Sequence, residues 1–158
     1  MANLAPGRTV HALDPSPSQC LAMNKFALPN FKVTNAGIGR MVGKGVAGPG
    51  FTGMKPGDEF RIETIDNLFF DKNETLAFAH LDVEGLELEV LKGGKKTIDA
   101  WKPIFTTELR VHKDPEFSRA LIDYINDLGY DRYATDEPSS FEQRTGPLKD
   151  SSLIQLRD

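Results

Sequence analysis

The chain has 158 residues, and its 19 Lys and Arg against 23 Asp and Glu leave a formal net charge of −4. Its 39% hydrophobic and 27% charged residues exclude a disordered chain, a collagen-like repeat and a disulfide scaffold, and the acidic balance argues against binding to nucleic acid or an anionic membrane. A single cysteine, Cys20, and the lack of an apolar run of about 20 residues predict a cytoplasmic protein without a membrane span, folded as one domain over residues 1–158.

Residues 9–13 open the predicted fold as a short buried strand, because apolar residues follow a β-branched start and Asp14 ends the run. Ser16 followed by Pro17 is typical of a helix start, in which the hydroxyl caps the first turn and proline occupies the first helical position. The helix is expected to end before Pro29. This region therefore predicts a strand followed by a helix.

The next stretch predicts two strands separated by a glycine-rich insertion. One strand is expected at residues 31–38, and alternating apolar and polar residues predict a short edge strand at 60–65. Between them, residues 39–58 contain seven Gly and two Pro, a composition typical of a loop with at most ragged hairpin strands. Residues 43–50 lack the Gly-Lys-Ser/Thr ending of a phosphate-binding loop, so no phosphate site is predicted there.

The clearest buried strand of the chain covers residues 76–81 and ends at Asp82. A tight turn closed by Gly85 leads into a helix whose apolar residues recur at helical spacing. Gly93 and Gly94 then break this helix, and a further helical turn follows. The region predicts a strand, an acidic turn and a broken helix.

The C-terminal part predicts another strand, a long helix and two final strands. Residues 104–109 form the strand, Asp114 caps the helix, and Gly129 suits a left-handed C-terminal cap. The last strands are expected at 130–134 and 153–156, with no helix between them that could serve a parallel crossover. The element order predicts an α/β fold with a mostly parallel sheet and a C-terminal antiparallel hairpin.

Polar side chains follow several of the predicted strands, where ligands bind in open parallel sheets. The strand-end residues are Asp14, Asp82 and Glu108, and the residues just beyond the last two are Glu84 and His112. Carboxylates at such positions hydrogen-bond ribose or substrate hydroxyls, and a histidine can act as a general base. We expect the three strand-end acids to meet in one crevice.

Each of these residues also has a plainer interpretation, and the residues alone leave both open. Asp14 would be a turn residue before Ser16, Asp82 would cap the following helix, and His112 would be a surface residue. The spacing of these potential ligands matches no metal motif, so no metal site is predicted.

One stretch of the chain is more specific than the rest. Residues 81–85, Leu-Asp-Val-Glu-Gly, together with the acidic and apolar helix and the Gly93-Gly94 break, closely resemble the FkbM family of S-adenosylmethionine-dependent methyltransferases. Supporting pieces resemble the family in the same order along the chain. They are residues 10–17, 35–39, 64–68 and 128–130.

This resemblance implies a Rossmann-like class I methyltransferase sheet, which agrees with the element order read from the residues. It also implies methyl transfer from the cofactor S-adenosyl-L-methionine. The acceptor would be a hydroxyl oxygen of a sugar, a glycan or another small molecule. Neither nucleic acid nor a membrane is expected as a partner.

The resemblance further implies roles for individual residues. The residues placed near the cofactor are Asp14 at the ribose, Gly37 and Ile38 near the adenine, and Asp82. The residues assigned to catalysis are Asp82, Glu84 and His112. The residues placed on the acceptor side are Glu108 and His112.

The sequence departs from the family at one point. The family begins with a strand and an Asp-x-Gly-x-Asn-x-Gly loop around the methionine part of the cofactor, and we expect both the first strand and this cofactor loop to be missing here. That strand would lie in the middle of the sheet, so residues 9–13 would lack a partner on one side.

Three explanations are open: a truncated gene model, which we favour, a fragment completed by another chain, or a non-catalytic relative. A homo-oligomer or a partner chain would then supply the missing strand. The alternative function is a truncated, non-catalytic methyltransferase-like interaction module. A nucleotide-binding α/β protein of another kind is a third reading, against which the lack of a glycine-rich strand-to-helix loop argues.

Overall fold

The computed structural model describes residues 7–109, 113–130, 132–135 and 151–156, and for the last two stretches it describes the backbone only. The chain divides into two compact units, Met1–Thr64 and Ile65–Asp158. Both units contain helices and strands, so the fold class is mixed α/β, as predicted. The single domain over the whole chain stays a prediction. Within the described residues, no helix is both long and apolar enough to cross a membrane.

The first unit begins with the strand, helix and strand that the sequence predicts. Strand β1 is Val10–Asp14, helix α1 is Pro17–Asn24 and strand β2 is Phe31–Asn35. The two strands are parallel, and Asp14 pairs with Asn35 at their carboxyl ends. Ser16 caps α1, because its Oγ accepts a hydrogen bond from the backbone N–H of Gln19 at 3.3 Å.

A three-stranded sheet completes the first unit. Its strands are β3 at Gly37–Ile38, β4 at Gly43–Val46 and β5 at Glu59–Glu63. Strand β5 lies in the middle, parallel to β3 and antiparallel to β4. Two predictions are therefore wrong: residues 31–38 form two strands in different sheets, and β5 is a central strand rather than an edge strand. The glycine-rich insertion supplies β4 as its edge.

The ring of Phe60 explains why the glycine-rich insertion forms a strand. A Cβ on Gly45 would lie 2.5 Å from Phe60 Cζ, and a Cβ on Gly37 would lie 2.8 Å from Phe60 Cε2. The ring therefore lies against the backbone of both neighbouring strands, which glycine permits because it has no side chain. Phe60 is distant in sequence from both glycines. The local composition of the insertion therefore predicts a loop, and the strand becomes apparent only in the folded structure.

The second unit holds a four-stranded sheet and four helices within the residues described. Its helices are α2 at Ile65–Leu68, α3 at Glu87–Lys92, α4 at Lys95–Trp101 and α5 at Pro115–Asp127, with a 3-10 turn at Phe70–Lys72. Its strands are β6 at Phe78–Leu81, β7 at Ile104–Leu109, β8 at Arg132–Thr135 and β9 at Ser151–Leu156. Strands β6 and β7 are parallel, and β9 lies between β7 and β8, antiparallel to both. The predicted C-terminal antiparallel hairpin is confirmed.

The core of the second unit combines buried residues from the sheet and the helices. The strand residues are Leu81, Phe105 and Leu109, and the helix residues are Val90, Leu91, Ile98, Leu121 and Ile125. Tyr130 completes this core: its ring meets Phe105 edge-on at a centroid distance of 5.0 Å, and its hydroxyl donates to the Pro103 carbonyl oxygen at 2.7 Å.

Helix α5 agrees with the sequence prediction at both ends. The Asp114 carboxylate accepts a hydrogen bond from the Phe117 N–H at 2.9 Å, and Pro115 is the first helical residue. Gly129 has a φ of +83° and ends the helix in the left-handed region. These are local signals, which is why the sequence predicts the helix well.

Candidate functional site

The carboxyl ends of β6 and β7 form the candidate site of the second unit. In the parallel register of these strands, Leu81 pairs with Thr107. The next residues, Asp82 and Glu108, therefore lie at the same level of neighbouring strands, whose separation is about 4.8 Å. Asp82 is exposed and Glu108 is half-buried. The strand topology thus brings two of the predicted site residues together.

The turn after Asp82 has an unusual backbone. Glu84 has a φ of +54° and Gly85 a φ of +96°, so two successive residues adopt the left-handed region. A residue with a side chain seldom adopts this region, and such positions concentrate at functional sites. Glu84 is exposed, so the carboxylate projects from a turn of defined shape.

Asp82 is not the helix cap that the plainer interpretation predicts. Helix α3 begins at Glu87, with Leu86 at the cap position and no side-chain hydrogen bond to the first turn. The cap interpretation is therefore wrong, because four residues of turn separate Asp82 from the helix. Its exposed carboxylate lies at the strand end, where an α/β sheet binds ligands.

Glu87 is a residue of this region that the sequence analysis overlooks. It is only 1% exposed, and its Oε1 accepts hydrogen bonds from the backbone N–H groups of Val83 at 3.2 Å and Gly85 at 3.3 Å. Its Oε2 is buried and, within the described residues, has no hydrogen-bond partner. The signal available in the sequence is spacing, since Glu87 precedes the buried Val90 and Leu91 by three and four residues.

Asp14 occupies the corresponding place in the first unit, at the carboxyl end of β1. Its Oδ1 accepts a hydrogen bond from the Ser16 N–H at 2.7 Å. Asp14 is therefore a turn residue before Ser16, as the plainer interpretation predicts. The Asn35 side-chain amide donates to the carbonyl oxygens of Asp14 at 3.1 Å and of Pro15 at 2.9 Å. Asn35 therefore holds the backbone at this strand end, a role that the sequence analysis does not assign.

Gly37 and Ile38, the residues expected near the adenine, form β3 in the same unit. They pair with Ile62 and Glu63 of β5, and both are half-buried. Packing against Phe60 is sufficient to account for glycine at position 37. Any contact of this pair with a cofactor is a separate proposal.

The predicted site residues are divided between the two units. Asp14, Gly37 and Ile38 belong to the first unit, and Asp82, Glu84 and Glu108 belong to the second. His112 lies outside the described residues. The meeting of Asp14 with Asp82 and Glu108 in one crevice stays a prediction. Among the residues whose positions are described, no three His, Cys, Asp or Glu form a group that could hold a metal ion.

Acidic residues thus stand at the carboxyl ends of parallel strands in both units, the position at which open α/β sheets bind ligands. Residues 56–132 match the sequence model of the methyltransferase FkbM domain. The predicted resemblance to the FkbM family is thereby confirmed. The matched segment contains both strand ends of the second unit and the turn between Asp82 and Glu87.

The fold is similar to that of methyltransferase FkbM from Methylobacillus flagellatus KT, whose crystal structure has a resolution of 2.20 Å. The TM-score is 0.63 and the sequence identity 17%, over 98% of this chain and 39% of that chain. The chain therefore spans about two-fifths of the length of that protein, and the likeness concerns the fold. No curated protein matches the chain.

Proposed function

We propose that this chain is part of a methyltransferase that uses S-adenosyl-L-methionine and methylates a hydroxyl oxygen of a sugar, a glycan or another small molecule. The observation that carries the proposal is the match of residues 56–132 to the FkbM methyltransferase domain. This segment includes the neighbouring strand ends at Asp82 and Glu108. A Rossmann-like class I sheet is part of the same proposal.

The residues present suit such a cofactor. Carboxylates attract its positive charge and accept hydrogen bonds from its ribose hydroxyls and its ammonium group. Asp82 and Glu84 are exposed carboxylates on a turn of defined backbone shape. In the first unit, Ser16 occupies Oδ1 of Asp14, so Oδ2 would meet the ribose, with Gly37 and Ile38 near the adenine.

The bound cofactor supplies a methyl group on a positively charged sulfur. The protein's main task is then to align the acceptor oxygen with that methyl carbon. Asp82 and Glu84 would bind and orient at the cofactor side, and Glu108 would hydrogen-bond the acceptor hydroxyl. The hydroxyl proton would pass to a nearby base, for which we propose Glu84 or His112.

Titration calorimetry with S-adenosyl-L-methionine tests the proposal. We expect saturable binding by the intact chain and a loss of about tenfold or more in affinity for Asp82→Asn, because a charge-assisted hydrogen bond is worth about 1.5–3 kcal/mol. Glu116→Gln is the matched control, since Glu116 is an exposed acid in the first turn of α5. A folded chain that gives no binding heat would instead support the non-catalytic interaction module.

The acceptor is tested separately by mass spectrometry of a panel of sugars incubated with the protein and the cofactor. We expect the mass to increase by one methylene unit on a hydroxyl-bearing compound. Transfer to nitrogen alone would contradict the proposed acceptor class while leaving methyl transfer itself intact. A cytoplasmic location is also proposed, supported by the single buried thiol of Cys20.

We further propose that a homo-oligomer or a partner chain completes the sheets. Within the described residues, β1 pairs with β2 only, and β6 stands at the end of the order β6-β7-β9-β8. A strand at the end of a sheet presents backbone groups that a further strand can pair.

A further inference from the structure

We propose that Glu87 is a positioning residue, whose buried carboxylate fixes the turn of residues 82–85 so that Asp82 and Glu84 are held ready for the ligand. The inference depends on the proposed function for the identity of that ligand. The structural part, that Glu87 holds the turn in place, is independent of the proposed function.

The contacts of Glu87 support this role. One oxygen, Oε1, accepts from two backbone N–H groups of the turn, at Val83 and Gly85. The side chain is 1% exposed, so water has little access to these bonds. Hydrogen bonds that are shielded from water are stronger than those at the surface, where water competes for the same groups.

The turn needs such an acceptor for backbone N–H groups that its own carbonyl oxygens do not pair. Glu84 and Gly85 both have positive φ, and within the described residues one backbone bond crosses the turn, from the Leu86 N–H to the Val83 carbonyl oxygen at 3.3 Å. Without Glu87, the N–H groups of the half-buried Val83 and Gly85 would lose the acceptor that the structure gives them, at a cost in free energy. Glu87 therefore stabilises the conformation that gives Glu84 its direction.

Burial of the Glu87 carboxylate costs free energy, and apolar packing around it does not offset that cost. Burial of a charged group is unfavourable unless it is compensated, and Oε2 has no hydrogen-bond partner within the described residues. The neighbours on the same side of α3, Val90 and Leu91, are apolar and fully buried. The hydrogen bonds to the turn are the contacts that account for an acid at this position.

Hydrogen exchange of the intact chain, followed by NMR, tests the structural part. We expect the Val83 and Gly85 amides of the unmodified protein to exchange at least about tenfold more slowly than in an unfolded chain. Glu87→Asp keeps the charge but shortens the side chain, and it should accelerate both amides by about tenfold. Glu87→Gln keeps the length and an acceptor oxygen, and it should stay within about threefold of the unmodified rates.

The exchange rate of the Ile125 amide in α5 is the control for global unfolding. The variant Glu116→Gln is the control for loss of a charge. Unprotected Val83 and Gly85 amides in the unmodified protein would overturn the proposal, and this measurement does not require any variant to fold. Exchange rates in Glu87→Asp that stay within about threefold of the unmodified protein would also overturn it, because a shortened side chain that no longer reaches the turn would then have no effect.

Calorimetry with S-adenosyl-L-methionine on the same variants tests the link to the ligand. We expect about tenfold weaker binding for Glu87→Asp and near-normal binding for Glu87→Gln. Faster amide exchange with unchanged affinity would show a purely structural role and overturn the positioning role. If the unmodified protein binds no cofactor, the proposed function fails, while the exchange data still decide whether Glu87 holds the turn.

Discussion

Gly85 and Gly129 share one backbone conformation but have different structural roles. Both adopt the left-handed region, with φ of +96° and +83°, and a Cβ on either would meet no heavy atom within 4 Å. The requirement for glycine is therefore conformational at both positions. Gly129 ends helix α5, whereas Gly85 shapes the turn at the candidate site.

The two glycines make a matched pair for mutation. Gly85→Ala and Gly129→Ala should each cost about 1–2 kcal/mol in the free energy of unfolding, because each forces a Cβ into the left-handed region. Affinity for S-adenosyl-L-methionine should fall only for Gly85→Ala. Denaturant unfolding and calorimetry measure the two effects. Equal losses of affinity in both variants would contradict a site at the 82–85 turn.

Asp99 illustrates electrostatics at a surface residue. It forms ion pairs with Lys95 at 2.6 Å and with Lys102 at 3.3 Å. The hydrogen bond from Lys95 is the main reason why the pKa of Asp99 lies below its ordinary value of 3.8, with Lys102 contributing in the same direction against partial desolvation. The Lys95 pKa is raised by the same hydrogen bond.

The sign of the resulting pH dependence is determined by the lowered pKa of Asp99. The ion pairs of Asp99 with Lys95 and Lys102 stabilise the folded state above pH 3.8. This contribution is lost as the pH falls through the lower pKa that Asp99 has in the folded state. We expect an NMR titration to give Asp99 a pKa below 3.8 and Lys95→Met to raise it. High salt should weaken the shift because both side chains are exposed. A pKa that Lys95→Met leaves unchanged would refute this assignment.

At the scale of elements, a side chain of helix α2 caps the first turn of helix α4. Helix α4 follows Gly94, which has no side chain to cap it. Asp66 of α2 takes this role: its Oδ1 accepts from the N–H and the hydroxyl of Thr97, both at 2.8 Å, and its Oδ2 accepts from the Lys96 N–H at 3.2 Å. A Cβ on Gly94 would lie 2.9 Å from Ile65 Cβ, so glycine is needed for this close contact.

Replacement of Asp66 tests the cap. Asp66→Ala should lower the free energy of unfolding by about 1–2 kcal/mol, because the first N–H groups of α4 lose their acceptor. Asp66→Asn should cost less, since it keeps one acceptor oxygen. Asp123→Ala, at an exposed position of α5, is the control and should have little effect. Urea unfolding gives the values, and the cap assignment is wrong if Asp66→Ala matches the control.

At the scale of the whole molecule, the strand edges raise the question of association. Strands β1 and β6 each have one strand partner within the described residues. An unpaired edge in an α/β sheet is a template for a further strand.

Sedimentation equilibrium of the isolated chain tests this proposal. If a second copy completes the sheets, the mass should exceed 17.5 kDa and should rise with concentration. If a different partner chain is required, the isolated chain should be poorly folded or aggregation-prone. A well-folded monomer at every concentration would contradict both forms of the proposal.

The elements that the sequence predicted best are those whose signals are local. Strand β7 and helix α5 have the predicted bounds or nearly so, because Pro103, Asp114 and Gly129 mark their ends. Strand β4 was not expected as a regular element, because its glycines depend on the distant ring of Phe60. Propensity describes the local chain, and a tertiary contact can outweigh it.

The candidate site divides in the same way. The amino-acid order alone placed Asp82 and Glu108 at strand ends and indicated the FkbM family, because strand boundaries and a short motif are local properties. Only the tertiary structure decided that the two acids follow paired residues of neighbouring strands, that Asp82 caps no helix, and that Glu87 is buried against the turn. Strand register and side-chain burial arise from packing between distant segments, which no local pattern specifies.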